Sequence, residues 1–235
     1  MAAIPVQERI AILKGNEGWF GRAPGAFQDA VLSGCEWVEY RAGEAVYHAS
    51  GAQVDLFGIV DGSIELYSRF GEGDNPLLHL LHEGVWIGYG PVMSGQPPRM
   101  AAVARVDTLL ARLPSRTAHE LLSRHPEWWR VLATGAIEYG DIALSAYIDS
   151  LIPETDRRCA GTLLRVTGLR PPRRSRPERT EVPLTQEELA ALVRVSRTTL
   201  LQTLRRFEQR GLVEQRYKVL RIADVAGLKA VAAGR

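Results

Sequence analysis

The amino-acid sequence predicts an α+β protein with a β-rich first half, one long central helix and a small C-terminal domain of helices and short strands. Short apolar runs separated by glycines fill residues 35–113, which is typical of β-structure. The longest helix pattern follows at 126–152, and two capped helix patterns adjoin each other in 184–211. We therefore divide the chain into the segments 1–125, 126–152 and 153–235.

The distribution of charge supports this division. The formal net charge of +2 combines 11 Lys/Arg and 18 Asp/Glu in residues 1–150 with 18 Lys/Arg and 9 Asp/Glu in residues 151–235. An acidic first part and a basic second part indicate a sensing module joined to a module that binds a polyanion.

The sequence also argues against several classes of protein. No apolar run reaches about 18 residues and no secretory pattern opens the chain, so we expect a cytoplasmic protein with no membrane partner. Cys35 and Cys159 are too few for a four-cysteine iron–sulfur cluster and too far apart in sequence for a disulfide framework.

The first segment is expected to open with two short helices and to continue as strands. Apolar spacing predicts the helices at Val6–Leu13 and Phe27–Leu32. Glycine-bounded apolar runs predict strands at Val54–Val60, Ser63–Tyr67, Leu77–Leu81 and Ala101–Arg105. Short strands at close spacing are typical of a roll or barrel, so we expect a jelly-roll-like β-roll.

Three histidines in this region suggest an alternative function. His48, His79 and His82 could bind a metal or haem on a β-barrel, giving a sensor or a cupin-like enzyme. Their spacing matches no metal-ligand or haem-ligand motif, and histidines at strand ends can instead face water. We therefore expect no metal, no cofactor and no enzymatic activity, and keep the histidine site as the alternative.

The long helix pattern from Pro126 to Ile152 has two apolar faces. One face carries Trp128, Leu132, Gly135, Tyr139, Ile142 and Ala146, and the other carries Val131, Ile137, Leu144, Ile148 and Leu151. A helix with two apolar faces needs two partners, which we expect to be the β-roll and the same helix of a second subunit. Gly135 and Ala146 would let those two helix backbones approach closely. Burial within one subunit is the alternative.

The third segment begins with a hinge and a basic connector. Pro153 ends the long helix, and a further helix is expected at Asp156–Val166. Between Leu169 and Pro183 the chain has five arginines and four prolines, which predicts an extended connector or hairpin.

Residues 184–211 carry two capped helices in immediate succession. Thr185 and Glu188 form a capping box for the first helix, Ser196 caps the second, and Gly211 ends it in the left-handed conformation. Because only two residues separate the helices, they must cross steeply, which is typical of a helix-turn-helix. Val213–Ile222 then predicts the two strands of a wing, followed by a short helix.

The second of these helices has one apolar face and one polar face. Its apolar residues Leu200, Leu204 and Phe207 are expected to pack on the first helix. The opposite face carries the candidate DNA contacts Ser196, Arg197, Thr198, Leu201, Gln202 and Arg205. Arginine reads guanine and glutamine reads adenine in the major groove, so this face suits a recognition helix. A solvated helix of a small helical domain is the alternative.

The segment TQEELAALVRVSRTTLLQTLRRFEQRGLV, with the pair Ser196 and Arg197 opening its second helix, resembles the helix-turn-helix of the Crp/Fnr family of bacterial transcription regulators. RAGEAVY at 41–47, LFGIVDGSIELY at 56–67 and HEGVWIG at 82–88 resemble the family's cyclic-nucleotide-binding β-roll. The resemblance implies a β-roll sensor, a long dimerisation helix and a C-terminal winged helix-turn-helix. Arg194 departs from the family's usual turn glycine, which predicts a positive φ there.

The resemblance also implies a function. It indicates a homodimeric regulator that binds a pseudo-palindromic operator in double-stranded DNA, with RNA polymerase as a further partner. A small-molecule effector in the β-roll would bias the orientation of the DNA-binding domains. A DNA-binding regulator without small-molecule input is the alternative.

The family's phosphate-binding cassette corresponds to residues 87–101, IGYGPVMSGQPPRMA. The resemblance therefore implies an effector site at Gly88, Tyr89, Arg99 and Met100. Arg99 stands at the position of the phosphate-binding arginine. The alternative is that Arg99 is an ordinary arginine of a surface loop.

The remaining residues of this site depart from the pattern that recognises cyclic AMP. Tyr89 replaces the glutamate that binds a ribose hydroxyl, and Met100 replaces the serine or threonine after the arginine. The pair that the central helix offers to the base falls near Ala143 and Leu144. We therefore expect that cyclic AMP is not the effector.

Overall fold

The computed structural model describes residues 4–49, 54–68, 77–170, 180–216 and 219–235. These residues form two compact units, one extending to Gly140 and one beginning at Asp141. Most of the predicted basic connector, and two residues at the turn of the predicted wing, lie outside the described residues.

The first unit mixes helices with two antiparallel sheets. In chain order it contains α1 (Val6–Lys14), α2 (Gly25–Ser33), β1 (Glu36–Tyr40), β2 (Ala45–Tyr47), β3 (Leu56–Asp61), β4 (Ser63–Ser68), β5 (Leu77–His82), β6 (Trp86–Ile87), α3 (Tyr89–Ser94), β7 (Met100–Ala104), β8 (Thr108–Leu113), α4 (Ser115–Arg124) and the start of α5 (Trp128–Leu151). Every helix and strand predicted for this part of the chain is present, with ends within two residues of those expected. The helix α4 and the strands β1, β2, β6 and β8 were not predicted individually.

The two sheets form the expected β-roll. Their strand orders are β1-β8-β3-β6 and β2-β7-β4-β5, with antiparallel pairing throughout. Ile59, Ile64, Leu66, Ala104 and Leu110 come from both sheets and share one buried cluster. Alternating side chains of facing strands thus fill the interior of the roll.

A second core covers the outside of the sheet that contains β3 and β8. Here Phe20, Phe27, Trp86 and Trp128 pack among residues of α1, α2, α4 and the start of α5. The indole of Trp86 lies against Gly58, where a Cβ atom would come within 2.7 Å of the ring. The helices that precede and follow the strands therefore bury one outer face of the roll.

The first apolar face of α5 packs on its own subunit. Trp128 and Leu132 are buried in the outer core, and Ile142 is also buried. The prediction that Gly135 serves helix–helix contact between subunits was wrong. A Cβ atom at Gly135 would lie 2.9 Å from the indole of Trp19, so this glycine makes room for a ring of the same chain.

The second unit contains the end of α5 and a small domain of helices and short strands. The domain comprises α6 (Thr155–Val166), β9 (Glu181–Val182), α7 (Gln186–Val193), α8 (Arg197–Gln209), β10 (Val213–Arg216), β11 (Val219–Ile222) and α9 (Val225–Ala232). Its sheet has the order β10-β11-β9. The predicted wing is confirmed by the antiparallel pairing of β10 with β11 from Val213 opposite Ile222 to Arg216 opposite Val219.

Local capping signals of the helix-turn-helix are confirmed in detail. The Thr185 hydroxyl accepts a hydrogen bond from the backbone N–H of Glu188, whose side chain accepts one from the backbone N–H of Thr185. The Ser196 hydroxyl accepts from the backbone N–H of Thr199. Arg194 has a φ of 60°, as its departure from the turn glycine predicted, and Gly211 has a φ of 69°.

Candidate functional sites

The polar face of α8 is presented to solvent. Leu200, Leu204 and Phe207 are buried in the core of the C-terminal domain with residues of α7. Of the predicted DNA contacts on the opposite side of the helix, Leu201 is half-buried and the remaining five are exposed: Ser196, Arg197, Thr198, Gln202 and Arg205. The fold therefore brings all six predicted contact residues to one accessible stripe.

Arg197, at the start of this stripe, is held by the first turn of α7. Its Nε and Nη2 donate to the Oε1 atom of Gln186 at 3.3 and 3.2 Å. Its Nη1 lies 3.2 Å from the Oε1 atom of Glu187. All three side chains are exposed, so the contacts orient the guanidinium without burying it. Sequence reasoning missed this pairing, although the acidic and amide residues of the α7 first turn were a local signal for it.

The inner side of α8 is tied to α6 by a polar contact. The Arg206 guanidinium pairs with the carboxylate of Asp156, with Nε 3.2 Å from Oδ2, and also donates to the hydroxyl of buried Thr203 at 2.9 Å. This pairing raises the pKa of Arg206 above its usual value, chiefly through the hydrogen bond to Asp156. The contact fixes the orientation of α8 relative to α6, and the sequence carried no signal for it because the partners are 50 residues apart.

Arg158 joins three pieces of backbone around the predicted hinge. Its Nε donates to the carbonyl of Val193 at 2.8 Å, and its Nη1 donates to the carbonyls of Ile152 at 2.5 Å and Pro153 at 3.1 Å. The Arg158 side chain therefore links the hinge backbone to the end of α7, the first helix of the helix-turn-helix.

A cavity of about 330 Å³ lies beside the β-roll. Its lining includes Gly88, Tyr89, Arg99 and Met100, so the four residues assigned to the effector site are brought together. Ala143 and Leu144 are not among the described residues that line it, and α5 contributes Tyr139 instead.

The backbone of this cassette requires glycine at its start. Gly88 has a φ of 92°, and a Cβ atom there would lie 2.1 Å from the carbonyl oxygen of Asp55. The chain can thus turn sharply from β6 into α3. Arg99 follows α3 and is exposed, while also lining the cavity. It therefore has features of both the predicted ligand-binding residue and the surface-loop alternative.

Three tyrosines line the same cavity, of which Tyr89 is buried and the other two are half-buried. Tyr47 lies on β2, Tyr89 on α3 and Tyr139 on α5. Burial raises the pKa of each phenol above its usual value, so all three are neutral hydrogen-bond donors at physiological pH. The Tyr139 hydroxyl donates to the sulfur of Met100 at 3.3 Å. Tyr47 and Tyr139 were not predicted as site residues.

The histidine alternative receives no support from the fold. Within the described residues, no group of three or more His, Cys, Asp or Glu side chains is arranged to hold a metal ion. His82 is buried at the end of β5. Across the same residues, no helix is both long enough and apolar enough to span a membrane.

Comparison with known proteins identifies the two domains. Residues 37–125 match the cyclic nucleotide-binding domain, and residues 157–231 match the Crp-like helix-turn-helix domain. Both domains occur in this order, on either side of one long helix. The chain belongs to the Crp/Fnr family of transcription regulators. It is therefore a Crp/Fnr-type transcription regulator with a helix-turn-helix DNA-binding domain, and proteins of this family are regulators rather than enzymes.

Individual members of the Crp/Fnr family are similar over most of their length. The cAMP-activated global transcriptional regulator CRP of Haemophilus influenzae is 21% identical over 193 residues, covering 82% of this chain and 86% of the relative. A Crp/Fnr-family transcriptional regulator from Thermus thermophilus is 22% identical, with a TM-score of 0.63 and coverage of 84% and 98%. FixK2 from Bradyrhizobium japonicum is 15% identical, with a TM-score of 0.68 and coverage of 84% and 96%. At these identities the structural likeness establishes the fold.

Proposed function

We propose that this regulator binds a pseudo-palindromic operator as a homodimer, reads it with α8, and responds to an effector other than cyclic AMP. The exposed polar stripe on α8, with Arg197 at its N-terminal end, is the observation that carries the DNA-binding part. A recognition helix places its first residues on base edges, and an arginine there can bind guanine through two parallel hydrogen bonds.

Dimerisation is supported by the second apolar face of α5. Ile137, Leu144 and Leu151 recur at intervals of seven residues and are 66%, 55% and 61% exposed. Gly140 and Tyr147 lie between them at the other positions of a heptad, and Ile148 flanks the stripe. An exposed apolar stripe of this length is unfavourable in a monomer, and heptad spacing suits a parallel or antiparallel partner helix. A second copy of α5 is the partner that a symmetric dimer supplies.

We assign the close approach of the two α5 helices to Gly140 instead of Gly135. A Cβ atom at Gly140 would meet no described atom of the chain within 4 Å, so packing against the described residues does not require its small size. In a dimer it would bring the two backbones together at the middle of the stripe.

Two α8 helices related by a two-fold axis are expected to read half-sites about one helical turn apart. Selection from a random double-stranded DNA library with the purified protein tests this directly. The expected result is an enriched inverted repeat with a guanine at the base position that Arg197 contacts. Recovery of a single unrepeated motif, or of no motif, would refute the proposed dimeric readout.

The chemistry of the cavity argues against cyclic AMP. Recognition of a ribose hydroxyl needs a short acceptor, and the corresponding residue here is Tyr89, whose side chain is a bulky ring. Met100 contributes a thioether to the same cavity. Each unpaired polar group of a bound ligand costs about 1–3 kcal/mol. Each 1.4 kcal/mol changes the dissociation constant about tenfold. Two or three such losses would therefore raise the dissociation constant for cyclic AMP from micromolar to roughly millimolar or beyond.

Calorimetry of the full-length protein with cyclic AMP tests this point. We expect no binding below about millimolar concentration. Tight binding that disappears in Arg99→Ala would show that the cavity is a cyclic nucleotide site.

RNA polymerase as a partner and a cytoplasmic location complete the proposal, because a transcription regulator has to act where DNA is transcribed.

A further inference from the structure

The cavity beside the β-roll has an aromatic wall assembled from three distant parts of the chain. The rings of Tyr89 and Tyr139 lie with centroids 6.1 Å apart and planes at 70°, which is an edge-to-face arrangement. Tyr47 completes the wall, and its ring stacks on Phe57 of β3 with centroids 6.2 Å apart. Edges and faces of such rings attract another aromatic ring more strongly than an aliphatic chain of similar size.

The apolar part of the lining continues this surface. Leu66, Ile87 and Met100 contribute aliphatic and thioether groups to the cavity. None of the described residues that line the cavity carries a carboxylate, so among them ligand hydroxyl or ammonium groups meet only the neutral acceptors of side chains such as Ser94 and Gln96. The lining therefore favours a ligand whose body is apolar and whose polar atoms are acceptors.

Hydrogen-bond donors that have no partner among the described residues define the polar part of the site. The hydroxyls of Tyr47 and Tyr89 make no hydrogen bond with the described part of the chain, whereas Tyr139 donates to Met100. The guanidinium of Arg99 likewise has no ion pair with any described carboxylate. Arginine binds a planar carboxylate through two parallel hydrogen bonds, and phenol hydroxyls can donate to the same group.

We propose that this cavity binds a small aromatic carboxylate of one or two rings, with the ring against Tyr89 and Tyr139 and the carboxylate on Arg99. The volume of about 330 Å³ lies at the lower end of the range for ligand pockets, which suits a ligand of this size. The inference deepens the proposed function, and it rests on that function for its regulatory meaning, because the ligand would be the effector.

The cavity also touches the helix proposed to dimerise. Tyr139 lies next to Gly140 and two residues from Ile137, both on the exposed stripe of α5. A ligand ring that displaces the Tyr139 hydroxyl from Met100 changes a contact of α5 directly. Such a ligand shifts the population of DNA-binding conformers to the extent that it binds them unequally.

Calorimetry of the full-length protein with four probes tests the ligand class. The probes are naphthalene-2-carboxylate, its neutral amide, octanoate and cyclic AMP. The expected result is binding of the naphthoate at least tenfold tighter than each of the other three. Equal binding of acid and amide would overturn the role of the charge, and equal binding of octanoate would overturn the aromatic preference. Failure of the naphthoate and of benzoate to bind at millimolar concentration would overturn the whole proposal.

Conservative variants locate the binding groups. Arg99→Gln should weaken the naphthoate at least tenfold and leave the amide unchanged, because only the acid uses the charge. Tyr89→Phe should weaken it about three- to tenfold through loss of one hydrogen bond. Arg116→Gln, which removes an exposed arginine outside the cavity, is the matched control and should change nothing. An unchanged affinity in Arg99→Gln would place the ligand elsewhere.

Operator binding measured in parallel separates the two proposals. If the ligand class is wrong, the library selection still returns an inverted repeat while the naphthoate fails to bind. If the regulatory function is wrong, the naphthoate binds and Arg99→Gln abolishes the preference for the acid, but no DNA motif is enriched. Enrichment of an operator together with a change of its affinity on adding the naphthoate would support both.

Discussion

Arg170 donates two hydrogen bonds from Nη1 to the carboxylate of Asp149, at 2.9 Å to Oδ1 and 2.7 Å to Oδ2. The Nε atom of Arg165 lies 3.8 Å from the same carboxylate, and the side chains of Arg165 and Asp149 are only 6% and 5% exposed. Burial lowers the pKa of Arg165 below its usual value, and Asp149 opposes that shift. One buried carboxylate is therefore the shared counter-charge of two arginines where α5 meets α6.

Removing the charge of Asp149 should destabilise the C-terminal unit. Asp149→Asn leaves Arg165 buried without a counter-charge, so we expect the free energy of unfolding in urea to fall by about 3 kcal/mol or more. Glu154→Gln is the control, because the Glu154–Arg157 pair is exposed and should contribute no more than about 1 kcal/mol. A loss in Asp149→Asn as small as that of the control would show that the buried pair adds little stability.

Substitution on the exposed stripe of α5 should dissociate the dimer. Leu144→Glu places a charge at the centre of the proposed helix pair, so we expect a monomer by sedimentation velocity at micromolar concentration, with the helix content retained. Leu144→Met keeps an apolar side chain at the same position and should remain dimeric. Ile142→Glu is expected to unfold the subunit, because Ile142 is buried within it. A monomeric wild type would contradict the proposed interface.

Arg197 should set one base of the operator. Arg197→Ala is expected to lose roughly 1–3 kcal/mol of binding to the selected operator, mostly at one base position. Arg197→Lys retains the charge without the planar fork of the guanidinium, so it should also lose the preference for one base at that position. Binding measured on operator and random duplexes distinguishes the roles. Equal weakening on both would mean that Arg197 contacts phosphate.

The contact between Arg197 and Glu187 suggests a partner substitution. A carboxylate near the DNA repels phosphates and competes for the guanidinium. Glu187→Gln should therefore tighten binding to every duplex at low salt and change the base preference little. Titrations at two salt concentrations measure the effect, and weaker operator binding in this variant would show instead that Glu187 positions Arg197.

The buried thiol of Cys159 should make stability fall at alkaline pH. Burial raises its pKa from 9.0 to about 12, with a smaller contribution from Asp156. Between those values the unfolded chain loses the proton and the folded chain keeps it, so stability is full below pH 9 and declines above it. The free energy of unfolding should drop about 2 kcal/mol more from pH 8 to 10.5 in the wild type than in Cys159→Ala. Parallel pH profiles would contradict this assignment.

The sequence by itself determined those features whose interactions are local. A capping box joins residues three positions apart, so Thr185 and Glu188 mark the start of α7 by their identity and spacing alone. The family's usual glycine at the turn implied the positive φ of Arg194. The spacing of Leu200, Leu204 and Phe207 separated the buried face of α8 from the exposed one. The cassette residues around Gly88 were assigned through the resemblance to the family's motif.

Only the tertiary structure decided which distant residues meet. Apolar periodicity showed that α5 has two apolar faces, but not that Gly135 accommodates Trp19 while Ile137 and Leu144 stay exposed. The pairing of Asp149 with Arg170 and the convergence of three tyrosines on one cavity likewise escaped prediction. Apolar periodicity predicts that a helix face is buried. Which residues bury that face depends on how elements far apart in sequence pack together.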